Sequence, residues 1–155
     1  MMQPSTAQPE TAMKPLAALT LTLATLLPLA SQAADLTLDV QGLDTRRLQG
    51  AQLMVAVFAE PAQWLKQPTL GRRFSLEGAA DGRITVVLKD LPEGPIAVTV
   101  FQDANGNGRL DMNAMGMPVE PFGFSNDAVG QFGPPTFEQA VVRPVAGQPL
   151  SIRLN

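Results

Sequence analysis

The sequence predicts an all-β protein, an antiparallel β-sandwich of the immunoglobulin-like or prealbumin-like kind with about seven strands and one long loop; a small barrel is the alternative. Three observations predict it. Short runs alternate apolar and polar residues, as where Leu36, Leu38 and Val40 interleave with Thr37, Asp39 and Gln41. Gly and Pro, 13 and 14 of the 155 residues, break those runs at short intervals. Helical periodicity is slight throughout residues 34–155.

Taken in order, the first strand runs from Leu36 and stops near Gly42. Residues 53–59, LMVAVFA, are too few for a stable helix and rich enough in Val and Phe to form a central strand, which Pro61 ends. Residues 60–74 have no clean period, and Pro61, Pro68 and Gly71 mark a long loop with room for one helical turn at 62–66. Strands at 74–77 and 83–89 flank Asp81-Gly82, a hairpin signal. Pro92 and Gly94 set a turn before a strand in which Ile96, Val98 and Val100 alternate with Ala97, Thr99 and Phe101. Two last strands are predicted at 137–142 and 150–154, while residues 103–136 form the long loop.

The N-terminal residues carry a different message. An apolar run at 16–30, with Lys14 before it and Ser31-Gln32-Ala33 after it, reads as a Sec-type signal peptide at 1–33, cleaved after Ala33. A membrane anchor fits less well, because the run is short and Pro28 interrupts it. Met13-Lys14 is itself an ordinary beginning for such a signal, which makes Met13 a second candidate start. Residues 34–155 then form a single β-sandwich domain. With no second apolar span and no Cys for a lipid anchor, the expectation is a periplasmic or secreted protein without a membrane span in its mature chain. The lack of Cys also removes disulfides, so stability must come from packing and from any ion that binds. A net charge of −3 with scattered basic residues predicts no nucleic-acid partner.

Residues 103–111, DANGNGRLD, name a ligand most directly. Asp103, Asn105 and Asn107 occupy alternate positions, Gly108 follows where a tight turn needs glycine, and Asp111 stands at the ninth position. Hard oxygen donors so spaced suit calcium, with Arg109 contributing its backbone carbonyl. The twelfth position is Ala114, where a helix-loop-helix hand would place a bidentate Glu, and the segment before Asp103 reads as a strand. The expectation is therefore a weak calcium loop on a β domain, with Asn113, Glu120 or Asp127 as additional candidate ligands. At a dissociation constant of roughly 10⁻⁴ to 10⁻³ M, about 1 mM calcium would add only ~0.4–1.4 kcal/mol. An ion-free turn is the competing reading, since Asn and Gly tolerate left-handed dihedrals and Asp bonds nearby amides.

The run Asp103-x-Asn105-Gly106-Asn107-Gly108, followed by Gly116-x-Pro118, Glu120-Pro121, Gly123-Phe124-Ser125-Asn126 and Gly133-Pro134-Pro135-x-Phe137, resembles the signature block of an uncharacterised family of small secreted bacterial domains, domain of unknown function 2141. The likeness extends over most of residues 34–155. It implies export, a β-sandwich and the Asp-Asn-Gly loop, and brings no established activity with it. Residues 91–108 are also similar, over a shorter stretch, to the strand-then-calcium-loop pattern of bacterial surface B-type repeat modules.

Phe122, Phe124, Phe132 and Phe137 cluster in a chain of seven Phe. They either pin the long segment to the sandwich or leave Phe122, Phe124 and Phe132 as a partner surface. Trp64, alone on its loop, is expected to anchor it. A chain without His, Cys or Tyr has no parts for zinc hydrolysis, cysteine chemistry or a Ser-His-Asp triad. The expected function is that of a non-enzymatic envelope module, either a binding module whose partner is a glycan or another envelope protein or a purely structural one. The alternative is a carboxylate-dependent glycan-processing enzyme that pairs Asp111 with Glu120 or Asp127.

Overall fold

The alternation that begins at Leu36 forms strand β1 (Leu36–Gln41), which buries Leu36, Leu38 and Val40 and leaves the residues between them half-exposed. The structure is a computed structural model and describes residues 35–155; the predicted signal peptide lies outside them. Among the described residues β1 is followed by β2 (Gln52–Phe58), β3 (Leu70–Ser75), β4 (Arg83–Leu88), β5 (Ala97–Asp103), β6 (Phe122–Phe124), a one-turn helix α1 (Phe137–Ala140) and β7 (Leu150–Arg153). They form two sheets, ordered β4-β1-β7 and β3-β2-β5-β6. Leu38, Val40, Leu88 and Ile152 of the first sheet meet Leu53, Val55, Val57, Val98 and Val100 of the second in one buried core. The protein is an all-β sandwich.

Six of the predicted strands stand where the alternation put them or overlap it, and the differences have physical causes. β3 begins at Leu70, inside the stretch expected to be loop: Leu70, Arg72 and Phe74 share the face that pairs with Val57, Val55 and Leu53, and Gly71 falls on the open face. As an edge strand, β3 tolerates a charge among its inward positions, and Arg72 reaches Asp90 at 3.5 Å. The Asp81-Gly82 turn is present, with both residues left-handed and Ala80 and Arg83 exchanging two backbone hydrogen bonds. It closes only that rung, because β3 pairs with β2 whereas β4 pairs with β1. The turn therefore links the two sheets instead of making a hairpin between those strands.

Residues 137–142 are not a strand. Thr136 accepts from Gln139 N while the Gln139 side chain accepts from Thr136 N, a capping box that starts α1, and only Val142 bridges back to Ile96. The strand missing from the sequence reading is β6, three residues long, antiparallel to β5. Its Gly123 lies so close to the Arg153 carbonyl that a Cβ there would collide with it. β7 joins β1 in parallel, the exception to the antiparallel pairing. Beyond it, Leu154 N donates to Gln41 O and Asn155 N to Phe122 O, so the C-terminal residues fasten one sheet to the other.

The outer face of the four-stranded sheet carries a second apolar cluster. Trp64 packs against Phe58, Phe124 and Phe137, with ring centroids 5.0, 6.0 and 5.9 Å apart, and its indole N–H donates to Pro135 O at 2.8 Å. The expected anchoring role of Trp64 fits this packing. No helix among the described residues is long and apolar enough to cross a membrane.

Candidate functional site

β5 delivers the chain to Asp103 at its last position, opposite Gln52 of β2. Asp103 is fully buried, because the following turn wraps over its carboxylate. Its Oδ1 accepts from Gly106 N at 2.8 Å and Asn107 N at 3.1 Å, and its Oδ2 accepts from Gly108 N at 2.7 Å. Gly106 and Gly108 have φ of 75° and 77°, a left-handed pair that curls successive amides toward one oxygen-bearing group. The glycines at these positions are thus required by the backbone.

Above this base, Asn105, Asn107 and Asp111 converge. Asn105 Nδ2 donates to Asp111 Oδ2 at 2.6 Å and Asn107 Nδ2 to Asp111 Oδ1 at 2.9 Å. The other ends of both amides are engaged by the backbone, since Asn105 Oδ1 accepts from Asn107 N and Asn107 Oδ1 from Arg109 N. The Arg109 side chain is exposed. A Cβ on Gly108 would sit 3.6 Å from Arg73 Nη2, so a guanidinium borders the loop.

Glu120 reaches the loop from sixteen residues beyond Ala104 and is 4% exposed. Its Oε1 accepts from Ala104 N at 2.8 Å and its Oε2 from Asp111 N at 3.0 Å, which ties the two ends of the turn together. Asn113 is engaged in a small hairpin of its own, its Oδ1 accepting from Met115 N and Met117 N. Asp127 belongs to a 3-10 turn, Ser125–Asp127, and accepts from Arg153 N on β7. Among the described residues, no three acidic, His or Cys side chains are grouped as metal ligands.

The Phe residues divide. Phe122 and Phe124 are half-buried and meet edge to face at 5.9 Å, and Phe124 also touches Trp64. Phe132 is fully exposed. Other residues escaped the sequence reading. Gln102, fully buried, accepts from Asp44 N and donates to Asp44 O and Arg47 O, holding the 3-10 turn Thr45–Arg47 against β5. Ser125 accepts from Val98 N at 2.8 Å and donates to Ala140 O, linking β5 to α1. Met112, Met115 and Met117 stand exposed on the Asn113 hairpin. A buried Gln has no sequence signal in a single chain, whereas the spacing of Met112, Met115 and Met117 is visible in the sequence.

Beside that turn, the Arg46 guanidinium hydrogen-bonded to Asp44 holds its carboxyl down to about 2, helped by the Arg46 amide and by Arg47. The same contact raises Arg46.

The fold and loop together define an all-β sandwich with an Asp-Asn-Gly turn built over a buried Asp103. The chain belongs to the family described as uncharacterized protein conserved in bacteria (DUF2141), whose profile matches residues 39–152. No curated protein and no solved structure matches it.

Proposed function

We propose that this protein is an exported, non-enzymatic module of the bacterial cell envelope, in which the turn at 103–111 is a clasp that holds the segment after it on the sandwich for contact with a glycan or another envelope protein. One observation carries the reading. The carboxylates of Asp103 and Glu120 are buried and spent on backbone amides of the turn. A glycosidase pair would need its acid and base open to substrate. Glu120 is closed to substrate, and Asp127 serves the β7 backbone.

Calcium supplements the clasp in this reading. The side chains that meet at Asp111 are those the spacing singles out, Asn105 and Asn107, with Asp103 beneath them. Gln52 Oε1, a buried acceptor with no donor among the described residues, belongs to the residue paired with Asp103 in the sheet. Turning the two amides end for end would present Oδ1 to an ion, with the Arg109 carbonyl as a further donor, at the expense of two bonds to backbone N–H groups and of both amide bonds to Asp111. Together with the neighbouring Arg73 guanidinium, that cost keeps affinity in the range of roughly 10⁻⁴ to 10⁻³ M. The test is a calcium titration of thermal unfolding. The expected result is a saturable rise worth ~0.4–1.4 kcal/mol near 1 mM, absent from Asp111→Ala. A transition unmoved by calcium removes the ion from the account.

A further inference from the structure

Beyond the clasp, the chain forms a short hairpin whose apolar side chains point outward. Met112, Met115 and Met117 are 54%, 79% and 53% exposed. Burying such a side chain is worth roughly 1.5–3 kcal/mol, and three forgo it within six residues. The backbone beneath them is fixed. Met112 bridges Pro118 across the hairpin, Val119 N donates to Asp111 O at 2.9 Å, and Asn113 N donates to Met117 O at 2.8 Å. Asn113 Oδ1 accepts from Met115 N at 2.9 Å and Met117 N at 3.0 Å, while Gly116, at φ 76°, closes the turn by donating to Asn113 O. The geometry is that of a rigid tip bearing three unbranched side chains, each free to turn about three bonds.

Thioether sulfur is a soft, neutral donor that selects Cu(I) over the hard cations suited to carboxylates and amides. With no Cys and no His in the chain, methionine supplies its only soft donors of recognised strength. Three of the four methionines among the described residues are on this tip, while Met54 is half-buried in β2. We propose that Met112, Met115 and Met117 form a Cu(I)-binding site, with the Asn113 turn fixing the backbone from which the three sulfurs converge on the ion. The site is distinct from the oxygen-rich clasp in donor type, and it stands whether or not calcium binds there. Because thioethers need lose no proton to bind, the affinity is insensitive to pH through the range in which thiolate and imidazole sites weaken.

The test uses the full chain without oxygen, with ascorbate holding copper as Cu(I) and a chromogenic Cu(I) chelator as competitor. Met112→Leu, Met115→Leu and Met117→Leu combined keep the apolar bulk and remove the sulfurs. The expected result is that the parent chain withdraws an equivalent of Cu(I) from the chelator and the triple variant does not. In the parent chain itself, Ag(I), a redox-inert ion of the same softness, should shift the ε-methyl resonances of Met112, Met115 and Met117 and leave that of Met54 in place. Equal Cu(I) retention by the triple variant, or tip methyl resonances that Ag(I) does not move, overturns the proposal.

Discussion

Asp103 illustrates how one residue type supports two readings that only three-dimensional placement separates. The spacing of Asp103, Asn105, Asn107 and Asp111 was legible as an oxygen-bearing turn. That Asp103 would be fully buried under three amide donors was not, because the wrapping depends on a carboxylate from Glu120 far along the chain. Removing either acid takes the acceptor from two part-buried N–H groups, those of Gly106 and Gly108 for Asp103 and those of Ala104 and Asp111 for Glu120, at about 1 kcal/mol or more for each. Asp103→Ala and Glu120→Ala should therefore each lower unfolding stability by about 2 kcal/mol. Asp111 is half-buried and accepts only from the side-chain amides of Asn105 and Asn107, so Asp111→Ala should cost less than either, and chemical denaturation of the three variants checks that order.

Asp44 adds a pH dependence at the same scale. Its carboxyl is held at about 2 against an ordinary 3.8, so the folded state favours the ionised form. For a depressed acid, the stabilisation is complete above the ordinary value and disappears as pH falls through the folded one. Asp44→Asn should flatten the part of the acid-unfolding curve that lies between 3.8 and about 2, and leave the curve at neutral pH parallel to that of the parent chain.

At the scale of elements, periodicity identified the strands that have two distinct faces, β1 and β5 above all, because burial on one side writes itself into alternate residues. It failed where tertiary contact decides. β6 has three residues and no period to detect, and its place rests on Gly123 lying against β7. In 137–142 the apolar residues suggested a strand, yet Thr136 and Gln139 form a cap that outweighs them. The Asp81-Gly82 turn was legible, but its partner strands were not, since a turn does not state which sheet each arm joins. A Cβ at position 123 would drive into the Arg153 carbonyl. Gly123→Ala should cost about 1–3 kcal/mol, as overpacking does, and should raise hydrogen exchange at Phe122 and Asn155, whose mutual bonds hold that seam.

For the whole molecule, the sandwich was the most legible feature, because alternating short runs and frequent Gly and Pro leave few other architectures. The long segment after β5, residues 103–136, was recognised as exceptional and read as loop, although it contains β6, the 3-10 turn Ser125–Asp127 and the hairpin at Asn113. What unites it is attachment: Glu120 at one end, the Phe122–Asn155 pairing in the middle, and Trp64 with Ser125 at the far end. The turn at 103–111 begins that series of attachments. Native-state hydrogen exchange on Asp103→Asn tests the clasp most directly, because Asn offers one acceptor oxygen where the carboxylate offers two. The account predicts faster exchange across residues 104–119, with the amides of Leu38, Val55 and Val98 in the two sheets unchanged; exchange across 104–119 equal to that of the parent chain would contradict it.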